Sequence, residues 1–180
     1  AGITRTDYRL IPARLHDHDI CACPFPTGYG SFPAGIAESP GTVVEVAVLE
    51  LTLEQLQWVT FTEFGYRPGR LAGAVLELST GETLNDAHVY LQRTGLYPTA
   101  GLPTALAAVP AEGRTFPART QRELAADFAA RILGPGADGD AMLRALLEDP
   151  GAFAAEHYDD AFRTAIGRAP SRFVPHPAAR

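Results

Sequence analysis

The run from Thr42 to Leu51 (Thr-Val-Val-Glu-Val-Ala-Val-Leu-Glu-Leu) leaves this chain little choice of local structure. β-Branched side chains lose freedom in a helix and pack well on a pleated surface, so the run reads as a strand entered through the Ser39-Pro40-Gly41 turn. At Thr52 the pattern breaks. Thr52-Leu53-Glu54-Gln55 has the form of a capping box, with the threonine hydroxyl accepting from the Gln55 amide while the Gln55 side chain returns to the threonine N–H. A helix is expected from there to about Phe64, with Gly65 as a left-handed stop and Pro68 forbidding continuation.

Strands and turns fill the rest of the first half. Ala13 to Cys23 reads as a strand ended by Pro24-Phe25-Pro26 and a loop holding Gly28-Tyr29-Gly30. Leu71 to Leu78 and Ala87 to Gln92 read as strands joined by a hairpin-like Ser79-Thr80-Gly81-Glu82. Leu102 to Val109 is ambiguous between helix and strand. From Arg119 the period is helical, with Leu124, Phe128, Ile132 and Leu133 on one face, closed by Gly134-Pro135-Gly136. Two more helices, Asp140 to Glu148 and Phe153 to Ile166, lead into a Pro-rich tail. The expected organisation is an α+β domain over residues 1–134 and a helical C-terminal extension over 135–180.

Composition narrows the function. The net charge is −6, and all 15 basic residues are arginine. Phosphate neutralisation calls for clustered positive charge, so a nucleic-acid partner is not expected. The absence of lysine excludes Schiff-base chemistry on that side chain. No apolar run is long enough to span a bilayer and no signal core is visible at the start, so a soluble, cytoplasmic protein is the expectation. Cys21 and Cys23 are too few and too close for a disulfide framework and read as reduced, buried thiols.

Glu63 stands out on the helix after Thr52. At 100° per residue Leu53, Leu56, Val59 and Phe64 share an arc, and Glu63 falls inside it. A carboxylate taken out of water holds its proton more tightly, which suits it to giving and taking protons near neutral pH. A long side chain in a last turn can also snorkel back to water, and periodicity alone leaves both readings open.

These residues also resemble, in order, the γ-glutamylcyclotransferase family, which includes the AIG2-like proteins. Ala13-Arg14-Leu15 is similar to the family's "A-x-L" strand, and Ile36-Ala37-Glu38-Ser39-Pro40-Gly41 to its "I-x-x-S-P-G" turn. Thr62-Glu63-Phe64-Gly65-Tyr66 resembles the family's helix-ending glutamate followed by tyrosine, and Ala87-His88-Val89-Tyr90-Leu91 its "A-x-V-Y-L" strand. The resemblance covers roughly residues 10 to 95 and implies a small mixed β-barrel packed by helices. It further implies an enzyme that cyclises a γ-glutamyl amide to 5-oxoproline and a free amine, with Glu63 as general acid/base, Tyr66 and Tyr90 lining the substrate pocket, and no cofactor. The family's Gly-Ser substrate loop belongs before the Ala13 strand, where this sequence has no match, so residues ahead of Ala1 are expected to carry it. Glu45-Val46 stands where many members have Trp-Gly, and Thr60 where aspartate is common, as in a divergent branch.

Two rival readings remain. One is a non-catalytic binding protein of the same fold. The other is a metal-dependent hydrolase on His16 and His18, since alternation on a strand would put both imidazoles on one face, with His88 or Glu45 as a third ligand. Arg67 and Arg70 are candidates for attracting a substrate carboxylate.

Overall fold

The structure, a computed structural model, describes residues 8–63 and 65–158. It is an α+β fold with a mostly antiparallel sheet and four helices among the described residues. In chain order these are β1 (Arg9–Ala22), β2 (Ala34–Glu50), α1 (Leu53–Thr62), β3 (Tyr66–Arg70), β4 (Leu76–Leu78), β5 (Thr83–Leu84) and β6 (His88–Gln92). Then come β7 (Pro98–Thr99), β8 (Leu102–Pro103), β9 (Ala105–Leu106), β10 (Ala111–Glu112), β11 (Ala118–Arg119), α2 (Gln121–Leu133), α3 (Gly139–Glu148) and α4 (Pro150–His157). None of the described helices is long and apolar enough to cross a membrane.

The strands β1 and β2 pair antiparallel from Arg9 opposite Glu50 to Ala22 opposite Ala34, and both run further than their sequences suggest. Alternation holds over the first part of β1, where Ile11, Ala13 and Leu15 are buried and Pro12 and Arg14 exposed. It breaks at Asp17. That residue is left-handed, with φ 56°, and opposite it Ser39 to Thr42 loops out of β2 between the pairs His16–Val43 and His18–Glu38. Aspartate tolerates this conformation when its short side chain bonds locally, and here the carboxylate accepts the Gly41 N–H at 2.8 Å. The looped-out turn is locked by its own hydroxyls. Ser39 and Thr42, both buried, lie 2.7 Å apart, and Thr42 donates to the Gly113 carbonyl at 3.2 Å. A Cβ at Gly113 (φ 64°) would sit 2.5 Å from the Gly41 carbonyl oxygen, so only glycine allows this approach of two backbones.

The main sheet runs β10-β2-β1-β4-β5, with β9 joining β1 at Cys21 and β11 beside β9. The expected barrel does not close among the described residues. Its would-be wall, β3 with β6, pairs only with itself as a separate ribbon. The Ser79–Glu82 turn forms as expected, but it closes on Thr83 and Leu84, leaving His88–Gln92 to pair with β3 and not with the strand before the turn. The ambiguous segment from Leu102 to Val109 contains the short strands β8 and β9 and no helix.

The chain builds two principal cores. Leu15, Ile36, Val44, Leu71, Leu76 and Leu91 fill the space between sheet and ribbon. The second gathers Ala22, Phe32 and Tyr97 from the sheet end with Leu124, Phe128, Met142, Leu146 and Phe153 from α2, α3 and α4. Phe32 meets Tyr97 and Phe128 edge to face, centroids 5.7 and 5.5 Å apart. On α2, capped by Thr120 and Glu123, Leu124 and Phe128 are buried as the period predicts, whereas Leu133 is half exposed because the last turn overruns the core. Helix α3 packs on α2 through Gly139, where a Cβ would lie 2.7 Å from backbone atoms of Ala125 and Ala126. The expected final helix begins at Pro150, and its stretch beyond Tyr158 lies outside the described residues.

A buried ion pair joins the two halves. The Asp19 side chain is 0% exposed and takes a two-pronged contact from Arg114, Nε to Oδ2 at 2.8 Å and Nη2 to Oδ1 at 3.0 Å. Arg114 also donates to the Val109 carbonyl at 2.9 Å, and Asp19 accepts the Ile20 N–H at 2.8 Å. Arg114→Met would strand the carboxylate and is expected to cost about 3–5 kcal/mol in urea unfolding, and the double change with Asp19→Asn is expected to recover part of that loss.

Candidate functional site

Helix α1 delivers Glu63. The capping box forms as the sequence indicates, with Thr52 N–H to Gln55 Oε1 at 2.8 Å and Gln55 N–H to Thr52 Oγ1 at 3.2 Å. The helix ends at Thr62 with Glu63 as its C-cap, at φ −91° and ψ 59°, so the stop lies on the glutamate and Gly65 is not left-handed. Phe64 lies outside the described residues. The apolar arc is only partly realised. Leu56 and Val59 are half-buried beneath the helix, while Leu53 is 73% exposed, because the helix starts beyond the edge of the sheet.

Glu63 itself is half-buried. Its carbonyl accepts the Tyr66 N–H at 3.0 Å, a tight turn that swings the chain from α1 into β3 and sets the glutamate and tyrosine side by side. The Tyr66 hydroxyl donates to the Ala34 carbonyl at 2.8 Å, at the start of β2. Burial pushes the Tyr66 phenol well above its usual range, and the Cys23 sulfur and the Glu63 carboxylate beside it add to the shift. Gln92, opposite Tyr66 in the ribbon, lies near the same sulfur and works against the upward push that burial gives its thiol. Glu63, Tyr66, Cys23 and Gln92 therefore form one cluster where α1, the ribbon and β2 meet. Sequence reading singled out the first two for function. Cys23 reads from the sequence only as a buried thiol, and nothing in the spacing of Gln92 marks it.

Tyr90 sits elsewhere. Its hydroxyl lies 2.7 Å from Thr60 Oγ1, and Thr60 donates to the Leu56 carbonyl at 2.8 Å, so this phenol fastens the underside of α1 to β6. Tyr90 also borders a cavity of about 520 Å³ between sheet, helix and ribbon, walled chiefly by apolar residues. Neither Glu63 nor Tyr66 is on that wall.

A second cavity, about 470 Å³, opens at the Asp17 bulge between His16–His18 and Arg70–Val75. The bulge removes the alternation that would have placed the two imidazoles as equivalent ligands. His16 Nε2 turns to Glu77 at 3.2 Å across the β1–β4 pair, while His18 Nδ1 lies 2.8 Å from the His16 carbonyl. Glu45 is exposed opposite Arg14, and His88 belongs to the ribbon. Among the described residues no three His, Cys, Asp or Glu side chains gather to hold a metal. Arg70 is paired with Asp86, and Arg67 is exposed.

Both cysteines are free and buried as expected, and burial pushes each thiol up to about 12. In the unfolded chain these thiols ionise near 9, so above that pH the folded state holds protons that the unfolded state has lost, and stability falls as pH rises toward 12. The urea midpoint is expected to drop between pH 8 and pH 10.5, and a Cys21→Ala/Cys23→Ala protein to show a shallower drop.

Comparison with protein-family models, with curated proteins and with solved structures finds no match for this chain.

Proposed function

We propose that this protein is a γ-glutamylcyclotransferase-like enzyme acting on a small γ-glutamyl amide, with Glu63 as its acid/base. The observation that carries the reading is the turn after α1, in which the carbonyl of half-buried Glu63 accepts the Tyr66 N–H while the Tyr66 phenol bonds the start of β2, with the Glu63 carboxylate near enough to push that phenol up. The motifs that resemble the family lie far apart in sequence, on β1, β2, α1 and the ribbon, and Glu63 stands where the last two meet.

The reaction asks for a single group that moves protons in both directions. Glu63 takes a proton from the substrate α-ammonium, and the freed amine attacks the γ-carbonyl carbon of the same molecule. The new C–N bond closes the five-membered ring. The C–N bond to the departing amine then breaks, and the protons lost by the attacking nitrogen are those gained by the leaving one, with Glu63 as carrier. Because nucleophile and carbonyl belong to one molecule, the enzyme has only to hold a bent conformer. Tyr66 supports the glutamate's position, and Tyr90 holds the helix that carries it. Two unpaired thiols suit a reducing, cytoplasmic setting.

In the full-length protein, Glu63→Gln is expected to lower 5-oxoproline release from γ-glutamyl amides by about 10²–10⁴-fold with little change in the urea midpoint. Tyr90→Phe is expected to cost about 0.5–1.5 kcal/mol of stability through its lost bond to Thr60, and to leave turnover within a few-fold. Unchanged turnover in Glu63→Gln would sink the assignment.

A further inference from the structure

The cavity of about 520 Å³ touches successive residues on two strands, 46–49 of β2 and 88–90 of β6. Side chains alternate across a strand, so a cavity that meets every residue in turn reaches a strand edge, and its contact with Leu15, Leu76 and Leu84 extends it over the inner face of the sheet as well. The backbone agrees. Glu45 N–H points outward to the Pro110 carbonyl at 3.0 Å, so Ala47 and Leu49, two and four residues on, present their N–H and C=O to the same outer edge. Proline, which has no N–H, stands opposite Ala47 on the inner edge, at Pro12, as that parity requires. On β6, Tyr90 lies opposite Pro68, so its backbone groups likewise turn away from β3. Among the described residues no backbone partner meets these outward groups of Ala47, Leu49 or Tyr90.

We infer that the slot accepts an extended peptide from another polypeptide, added as a strand along these edges. An occupant must supply hydrogen-bonding groups at strand spacing together with apolar side chains for Val46, Val48, Val59 and Val89. A hydrocarbon chain offers only the second and a polar metabolite only the first. A peptide offers both. The surroundings favour a strand carried by a larger partner: α1 walls the slot from beneath, yet Leu53 and Trp58 on the same helix are 73% and 50% exposed, apolar surface that a bare peptide would leave in water. The four β2 residues along the slot span about 13 Å, which calls for a peptide of about five to seven residues. This inference is independent of the role of Glu63.

Amide hydrogen exchange of the full chain, with and without a capped Arg-Val-Thr-Val-Thr-Val-Arg peptide, tests it. At saturation the Ala47, Leu49 and Tyr90 amides are expected to exchange at least tenfold more slowly, while the same peptide N-methylated at alternate residues gives no slowing. Ala47→Pro removes an outward donor without touching the inner ladder and is expected to weaken binding at least tenfold with the urea midpoint retained. Protection of these amides in the protein alone would mean that the chain fills its own slot, and would overturn the inference. So would equal binding of the N-methylated peptide, or no binding at millimolar peptide.

Discussion

Asp19 has no exposed side-chain surface, and burying a carboxylate there is costly unless a cation comes to it. Arg114 does so with a planar two-nitrogen grip, and in doing so fixes where the crossing segment between the sheet and α2 must lie. Its remaining bond, to the Val109 carbonyl, holds the approach to β10, while Thr115 next to it meets Ser39 across the looped-out turn of β2. Beside this pair Cys21, Ala37, Leu96 and Phe116 pack into a small apolar cluster. The helices then dock against a sheet end that is already set.

The second constraint is the break at Asp17. With it, Leu15 faces the space between sheet and ribbon while Ala22 joins the aromatic cluster with Phe32 and Tyr97. The same break turns the His16 ring toward Glu77 and the His18 ring back to the His16 carbonyl. The candidate site lies on the far side, where β1 runs out into Cys23 and β2 begins, so the thiol, the Ala34 carbonyl and the Tyr66 phenol meet as a consequence of the hairpin's length.

Local chemistry was legible in the sequence, and long-range pairing was not. The Thr52–Gln55 box, the Thr42–Leu51 strand and the Leu124/Phe128 stripe each depend on neighbours a few residues away, and each is present in the fold. The partner of His88–Gln92 depends on which strand reaches it first in space, and the pattern of Leu71–Leu78 gives no warning that Tyr66–Arg70 takes that place. The barrel that the resemblance implies likewise depends on long-range pairing, and no closed barrel is found among the described residues. Of the site, Glu63 and Tyr66 could be read because a helix end and a turn put them together, whereas Gln92 arrives from across the ribbon. The bulge at Asp17 was hidden because its cause, the Gly41 N–H, is 24 residues away.

Gly134-Pro135-Gly136-Ala137-Asp138 has the composition of a pliant tether, yet the fold gives it a defined length. At one end α2 stops at Gly134, and at the other Asp138 caps α3, accepting the Asp140 N–H at 2.9 Å. Immediately after comes Gly139, seated on the Ala125–Ala126 backbone so closely that no other residue could take its place unaltered. A spacer between two such fixed points acts as a gauge. An added or deleted residue would not be absorbed as slack but would move α3 off the single notch where its backbone meets α2, carrying Met142 and Leu146 out of the aromatic core with it.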